Sequence, residues 1–299
     1  MALIALKIDV DTYRGTREGA LRLADVLERL GVHATFLFSL GPDHTGRALR
    51  RAFRRGFLGK VKRTSVLQHY GLKTLLYGVL LPGPRIGTRA AAAMRHIGQC
   101  GFEVGVHTWD HVRWQDGVGS ASAAWTRREL MLARDQFAEV FGRMPVVHGA
   151  AGWQMNEFVP ALERELGFRY ASDTRGRAPF LPLLGGQVIG VPQLPTTLPT
   201  LDELIGRPDL GSADPIEHLL QLTAASPGRD QVFTLHAELE GGAYLARFER
   251  LLREWQRRGF ELTDLATYAA RLHLKSLPPA AILAGTVDGR SGTLAVQAV

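Results

Sequence analysis

Short apolar runs alternate with amphipathic stretches along most of the chain. Residues 3–8, Leu-Ile-Ala-Leu-Lys-Ile, form a near-continuous apolar run, the pattern of a strand buried on both faces. Over residues 16–30, Leu21, Leu23, Ala24, Val26, Leu27 and Leu30 mark one face of a helix that Gly31 ends. Residues 32–40 read as a second strand, 88–100 as a helix stopped at Gly101, and 102–106 as a third strand that delivers His107 at its C-terminal end. A long helix over 125–141 ends at Gly142, and residues 145–147 open a strand leading into His148 and Trp153. A helix over 157–166 precedes Tyr170-Ala-Ser and Asp173, residues 231–235 present His236, and a helix over 246–258 precedes the strand-like residues 260–262.

Strand followed by helix, repeated in this way, predicts an α/β fold with a mostly parallel sheet or barrel. In such barrels the chemistry sits at the C-terminal ends of the strands. Asp9, Asp11, His107, Asp173 and His236 each follow an apolar strand-like run directly. Residues 276–299, with Pro278-Pro279 and scattered glycines, carry little periodic signal and read as an extended C-terminal tail beyond a main domain of residues 1–275.

His107-Thr-Trp-Asp-His111 places two imidazoles four residues apart at a strand end, where they can grip one metal ion. Such pairs are also common as surface or capping residues, so the remaining ligands decide. A catalytic site of the zinc type uses about three protein ligands from His and carboxylate and leaves a position open for water. Asp9 and Asp11 stand two apart at the end of the first strand, so both carboxylates can face one site. One would bind metal and the other stay free as a base; an Asx turn closing the strand is the simpler alternative.

With 299 residues the chain can bury a large core as one barrel domain, and its hydrophobic content of 45% is ordinary for a globular protein. No apolar run is long enough and free enough of charge to cross a membrane. The start of the chain lacks a basic-then-apolar leader, which argues against secretion. A single cysteine, Cys100, excludes an internal disulfide and a cysteine metal cluster, and fits a reducing cytoplasm.

The net charge is +7, but its placement matters more than its size. Between His44 and Phe102 there is no Asp or Glu, while the stretch carries 12 Lys or Arg, so the rest of the chain is net acidic by 7 − 12 = −5. A polyanionic partner follows. Phe53, Phe57, Leu58, Val61, Leu67 and Leu72 are interleaved with these charges, a mixture that favours an element lying in a membrane interface over one that reads DNA. An anionic membrane surface is therefore the expected partner and no nucleic acid is expected, with an insertion packed on its own domain as the alternative.

These residues resemble the polysaccharide deacetylase, or NodB-homology, family. The first motif of that family is similar to Lys7-Ile-Asp9-Val-Asp11, with one residue inserted between the carboxylates; its His-Ser/Thr-x-x-His motif is met by residues 107–111, and its Leu-x-His type motif is similar to Thr234-Leu-His236. The family's third motif begins with an Arg that orients the base, whereas residues 147–153 contain none, which leaves the group that holds Asp9 unassigned. The departures, in residues 9–18, 150–153, 172–176, 194–199 and 236–241, resemble the branch of the family that removes formate from a lipid-linked aminosugar.

The resemblance implies a deformed (β/α) barrel with a basic apolar insertion at about 44–87 after the second strand. It further implies association with the cytoplasmic face of a bacterial inner membrane, and a role in lipid A modification and cationic peptide resistance. On this reading Asp11, His107 and His111 hold one divalent ion, for which N/O donors suit Zn, Co, Mn or Ni. Asp9 is the base and His236 the acid, with Asp173 fixing the tautomer of His236. Arg14, Arg17 and Arg175 are candidates for a substrate phosphate. Trp109, Trp114 and Trp153 are candidates for stacking on the sugar, and Glu238 and Glu240 for contacting it. His33 and His148 read as structural. A deacetylase of another N-acylated sugar, and a membrane-docking module with a vestigial metal pocket, remain the alternatives.

Overall fold

The computed structural model describes residues 2–48, 73–210 and 214–298. The strands, in chain order, are β1 (Leu3–Val10), β2 (Thr35–Ser39), β3 (Glu103–Thr108), β4 (Val147–His148), β5 (Tyr170–Ala171), β6 (Leu181–Leu184), β7 (Gln187–Val188), β8 (Gln231–His236), β9 (Glu261–Thr263), β10 (Pro279–Gly285) and β11 (Leu294–Gln297). The principal sheet runs β5-β4-β3-β2-β1-β8 with β9 also on β1. Each of its pairings is parallel.

Parallel neighbours need long crossovers, and helices supply them. Helix Ala20–Leu30 carries the chain from β1 to β2, helix Ala123–Phe141 from β3 to β4, and helix Leu245–Arg257 from β8 to β9. Their apolar faces close on the sheet: Leu23, Leu27, Phe137, Phe248 and Leu252 share one core with Phe36, Phe38 and Phe233. Strand β1 is the axis of the sheet. Strand β8 pairs with it from Ile4 to Asp9 along one edge, while β9 takes Leu3–Ala5 and β2 takes Lys7–Val10 on the other. A single strand with two successive partners on one edge curls the sheet into a deformed (β/α) barrel.

The strand ends differ from the sequence pattern in one useful place. Strand β3 extends to Thr108, and its register with β2 passes from Phe38↔Val106 to Ser39↔Thr108, skipping His107. An irregularity of this kind re-aims the extra residue's side chain.

The segment read as a tail is part of the fold. Strands β10 and β11 join β6 and β7 in a second sheet ordered β11-β10-β6-β7. Strand β10 pairs with Leu181–Leu183 of β6, about a hundred residues earlier, and Arg175 N donates to Ala295 O at 2.9 Å. A partner so distant leaves no local periodicity to read.

Of the basic insertion, residues 49–72 lie outside the described residues. Its described flanks include the buried Tyr77 and the exposed Leu80. Among the described residues, no helix is long and apolar enough to cross a membrane.

Candidate active site

The C-terminal ends of β1, β3 and β8 converge. His107 Nδ1 lies 2.6 Å from Gly149 O, which ties that nitrogen to the backbone and leaves Nε2 facing Asp11 Oδ1 at 3.2 Å. His111 opens helix His111–Gly117, whose N-cap Asp110 accepts from Arg113 N, and its Nε2 lies 3.4 Å from the same Asp11 oxygen. One ligand atom from each of Asp11, His107 and His111 falls within 4.8 Å of the others. Burial alone would raise the Asp11 carboxyl, but His111 and His107 hold it well below the ordinary carboxylate range. Burial keeps the His111 imidazole below its ordinary range against the pull of Asp11, favouring the neutral form a metal ligand needs.

Among the described residues, Asp11 Oδ1 is buried and has no hydrogen-bond partner. An orphaned carboxylate oxygen facing two imidazole Nε2 atoms fits a divalent cation, because a buried charged oxygen is costly without a compensating positive charge. The backbone around it is fixed by Glu238. Its Oε1 accepts from Thr12 Oγ1 at 2.7 Å, Thr12 N at 2.8 Å and Asp11 N at 3.1 Å. Burial, with Asp11 nearby, pushes the Glu238 carboxyl up to about 8. Gly15 allows this clasp, since a Cβ there would stand 1.9 Å from Glu238 Oε1.

Asp9 is buried beside the trio. Its Oδ2 lies 3.3 Å from Lys7 Nζ, and its Oδ1, 3.7 Å from His107 Nδ1, is buried without a hydrogen-bond partner among the described residues. Lys7 is fully buried; its Nζ donates to Ser172 O at 3.0 Å and stands 5.2 Å from the Trp153 ring centre. Lys7 is therefore the cation beside Asp9, where residues 147–153 supply no Arg. The signal for it was a lysine inside an apolar run two residues before Asp9, on the same strand face.

His236 ends β8 in register with Asp9, which brings the two residues side by side on adjacent parallel strands. The structure does not pair His236 with Asp173. The Asp173 carboxylate instead accepts from Ala150 N at 2.7 Å and Gln193 Nε2 at 2.7 Å, and lies 3.0 Å from His148 Nδ1. His148 also lies 2.6 Å from Glu163 Oε1, so His148, Glu163 and Asp173 form a fully buried cluster under the 147–153 loop. Against the cost of burial, Asp173 and Glu163 raise His148 to about 10, and His148 with Gln193 lowers Asp173 to about 2. Among the described residues, the carboxylate that pairs with the His236 ring is Asp202, with Oδ1 3.7 Å from His236 Nδ1. Asp202 sits in the turn Leu201–Leu204, held by a capping box between Thr200 and Glu203. That box is legible as Thr-x-x-Glu, but its position opposite His236 is not.

The residues expected to bind substrate separate into two groups. Arg14 is partly exposed and pairs with Glu18 at 3.1 Å. Arg17 lies 5.4 Å from the Tyr13 ring centre. Arg175 does not face substrate: it is buried, pairs with Glu203 Oε1 at 2.5 Å and donates to Leu198 O at 3.1 Å. Trp153 is only 1% exposed, and Arg175 and Arg290 lie 5.0 and 4.6 Å from its ring centre, so it is a packed wall. Trp114 is likewise buried, with Nε1 donating to Gln154 O, while Trp109 is half-buried. Glu240 is fully buried and accepts from His236 N at 2.9 Å, holding the end of β8 as Glu238 holds the end of β1.

The polysaccharide deacetylase family matches residues 3–171. A Shewanella sediminis protein named "Probable 4-deoxy-4-formamido-L-arabinose-phosphoundecaprenol deformylase" is 34% identical over 99% of this chain and 94% of its own length. A protein of the same name from Wigglesworthia glossinidia brevipalpis is 30% identical over 95% of this chain and 98% of its own. A solved structure from Mycobacterium smegmatis superposes with a TM-score of 0.67 at 18% identity, covering 96% of this chain and 95% of that one. The curled parallel sheet, the carboxylates and imidazoles gathered at its strand ends, and these likenesses agree: the chain belongs to the polysaccharide deacetylase family and is an amide hydrolase.

Proposed function

We propose that this enzyme removes formate from undecaprenyl-phosphate-linked 4-deoxy-4-formamido-L-arabinose, serving lipid A modification and polymyxin resistance at the cytoplasmic face of the inner membrane. Two deformylase-named relatives, each alike over nearly its whole length, carry the substrate assignment. The basic, apolar stretch at about 44–87 supports an anionic membrane surface as the place of action.

Asp11, His107 and His111 would hold one divalent ion. When bound, such an ion acidifies water and polarises the carbonyl under attack. The chain's own residues handle the protons. Asp9, with Oδ1 unpartnered, accepts a proton from the water as its oxygen bonds to the formyl carbon. Lys7 holds the other Asp9 oxygen and keeps the carboxylate turned to the site. As the C–N bond breaks, His236 gives a proton to the departing nitrogen, and formate and the free amine leave. His236 Nδ1 faces Asp202, so Nε2 is the atom that delivers the proton. Arg14, which lines a shallow surface pocket with Gly15 and Glu238, would bind the substrate phosphate.

The test is formate release from the formamido-arabinose lipid by protein supplied separately with Zn, Co, Mn or Ni. Metal-dependent release is expected. Turnover of an N-acetyl sugar without turnover of this lipid would favour a deacetylase and overturn the assignment.

A further inference from the structure

The C-terminal hairpin reaches the proton-donor side of the site. Between β10 and β11 the chain places Arg290 with Nε 2.9 Å from Glu203 Oε1, Nη2 3.0 Å from Asp202 Oδ2, and its guanidinium 4.6 Å from the Trp153 ring centre. Asp202 turns its other oxygen towards His236, 3.7 Å from Nδ1, and that oxygen also accepts from Thr200 Oγ1 at 2.5 Å. The approach of the hairpin is built in. Gly289 has φ +84°, and a Cβ there would stand 2.2 Å from Glu203 O, so the loop lies against the Leu201–Leu204 turn only because residue 289 has no side chain.

We propose that Arg290 is a positioning residue for the proton donor: it fixes Asp202, and Asp202 fixes the His236 ring. The charges balance in this arrangement. Arg175 and Arg290 face Glu203 and Asp202, two cations to two carboxylates, and Arg175 is held by Glu203 and a backbone carbonyl. Arg290 is thus the cation that anchors Asp202. Without it, Asp202 keeps Thr200, a backbone N–H and the nearby His236 ring, and loses the cation that faces its other oxygen. Arg290 Nε donates to Glu203, while Nη2 stands 3.0 Å from Asp202 Oδ2 as an ion pair without hydrogen-bond alignment, so its effect passes through the charge of Asp202 rather than through contact with substrate. The hairpin belongs to the second sheet, so this contact ties that sheet to the proton-donor end of the barrel.

The proposal rests on His236 being the proton donor of the proposed hydrolysis. It is tested in the full-length protein by a double-mutant cycle on Arg290 and Asp202, with all rates taken relative to the wild type on whichever N-acylated lipid-linked sugar the wild type hydrolyses. Arg290→Gln should lower kcat by ~10- to 100-fold with little change in KM, the scale expected when a catalytic group is misplaced by about 1 Å. Arg290→Lys should recover part of the loss. The double variant Arg290→Gln/Asp202→Asn should be no slower than Asp202→Asn alone, because both changes remove one interaction. Metal affinity, measured by calorimetry, should be unchanged.

Independently of turnover, Arg290→Gln should shift the His236 ring nitrogen resonances in long-range proton–nitrogen spectra, whereas the surface change Arg127→Gln should not. Losses that multiply in the double variant, a raised KM with kcat intact, or unmoved His236 resonances would each overturn the proposal. A wild type that hydrolyses only N-acetyl substrates would overturn the deformylase reading and leave the cycle as decisive as before. Where Arg290→Gln fails to fold, the same cycle is run with Arg290→Lys and judged by the same criteria.

Discussion

The Lys7 ammonium and the Asp9 carboxylate lie 3.3 Å apart on one face of β1, both buried, and among the described residues the other Asp9 oxygen accepts no hydrogen bond. On the proposed mechanism, this relationship sets one carboxylate oxygen apart as an anchor and the other as a proton acceptor. Lys7→Met should therefore cost turnover by roughly 100-fold or more while metal affinity persists. It should also destabilise the fold by about 3–5 kcal/mol, the usual result of leaving a buried charge unpaired. Lys7→Arg should retain more activity than Lys7→Met. Equal losses in the two variants, measured as kcat/KM beside thermal melting, would show that charge at this position is immaterial.

Asp11 and Asp9 are two residues apart but have different surroundings, and their variants should separate. His111→Ala removes one of three donors and should abolish tight metal binding in calorimetry. Asp9→Asn should keep the metal and lose ~10²- to 10⁴-fold in turnover, the range of a general base. Loss of metal in Asp9→Asn would reverse the two carboxylates' roles.

The buried His148, Glu163 and Asp173 cluster predicts a pH signature in stability. His148 is raised from 6.5 to about 10 in the fold, so its contribution is full below about pH 6.5 and is lost as pH rises through about 10. Glu163 is also raised, which acts in the same direction. Asp173 is lowered from 3.8 to about 2, so its contribution is present above pH 3.8 and is lost as pH falls through about 2. Melting temperatures of chelator-treated wild type and His148→Gln should converge by roughly 5 °C between pH 6.5 and 10. Parallel curves would mean that His148 is neutral throughout.

The basic insertion predicts salt-sensitive binding to anionic vesicles. At ~1 kcal/mol per charge, replacing Arg50, Arg51, Arg54 and Arg55 by Gln should weaken partitioning by ~10²- to 10³-fold. Sedimentation with vesicles containing phosphatidylglycerol measures it. Binding that ignores both salt and these substitutions would remove electrostatics as the cause.

What was legible in the chain was local. A period of two along β1 put Asp9 and Asp11 on one face, because strand geometry fixes such neighbours, and only a short turn separates His107 in β3 from His111 at the start of the next helix. The alternation of runs likewise predicted the parallel α/β architecture and placed His236 at a strand end. Pairings between distant residues were decided by the tertiary structure alone. Asp173 lies against His148 and Gln193 rather than His236, Arg175 turns inward to Glu203, and residues 279–297 form strands on β6. Each of these depends on which polar groups the closed barrel leaves buried, since a buried charge takes the nearest partner that satisfies it. Lys7 joins both kinds of information: the sequence marks it as a charge inside a buried strand, and the fold supplies Asp9, Ser172 and Trp153 around it.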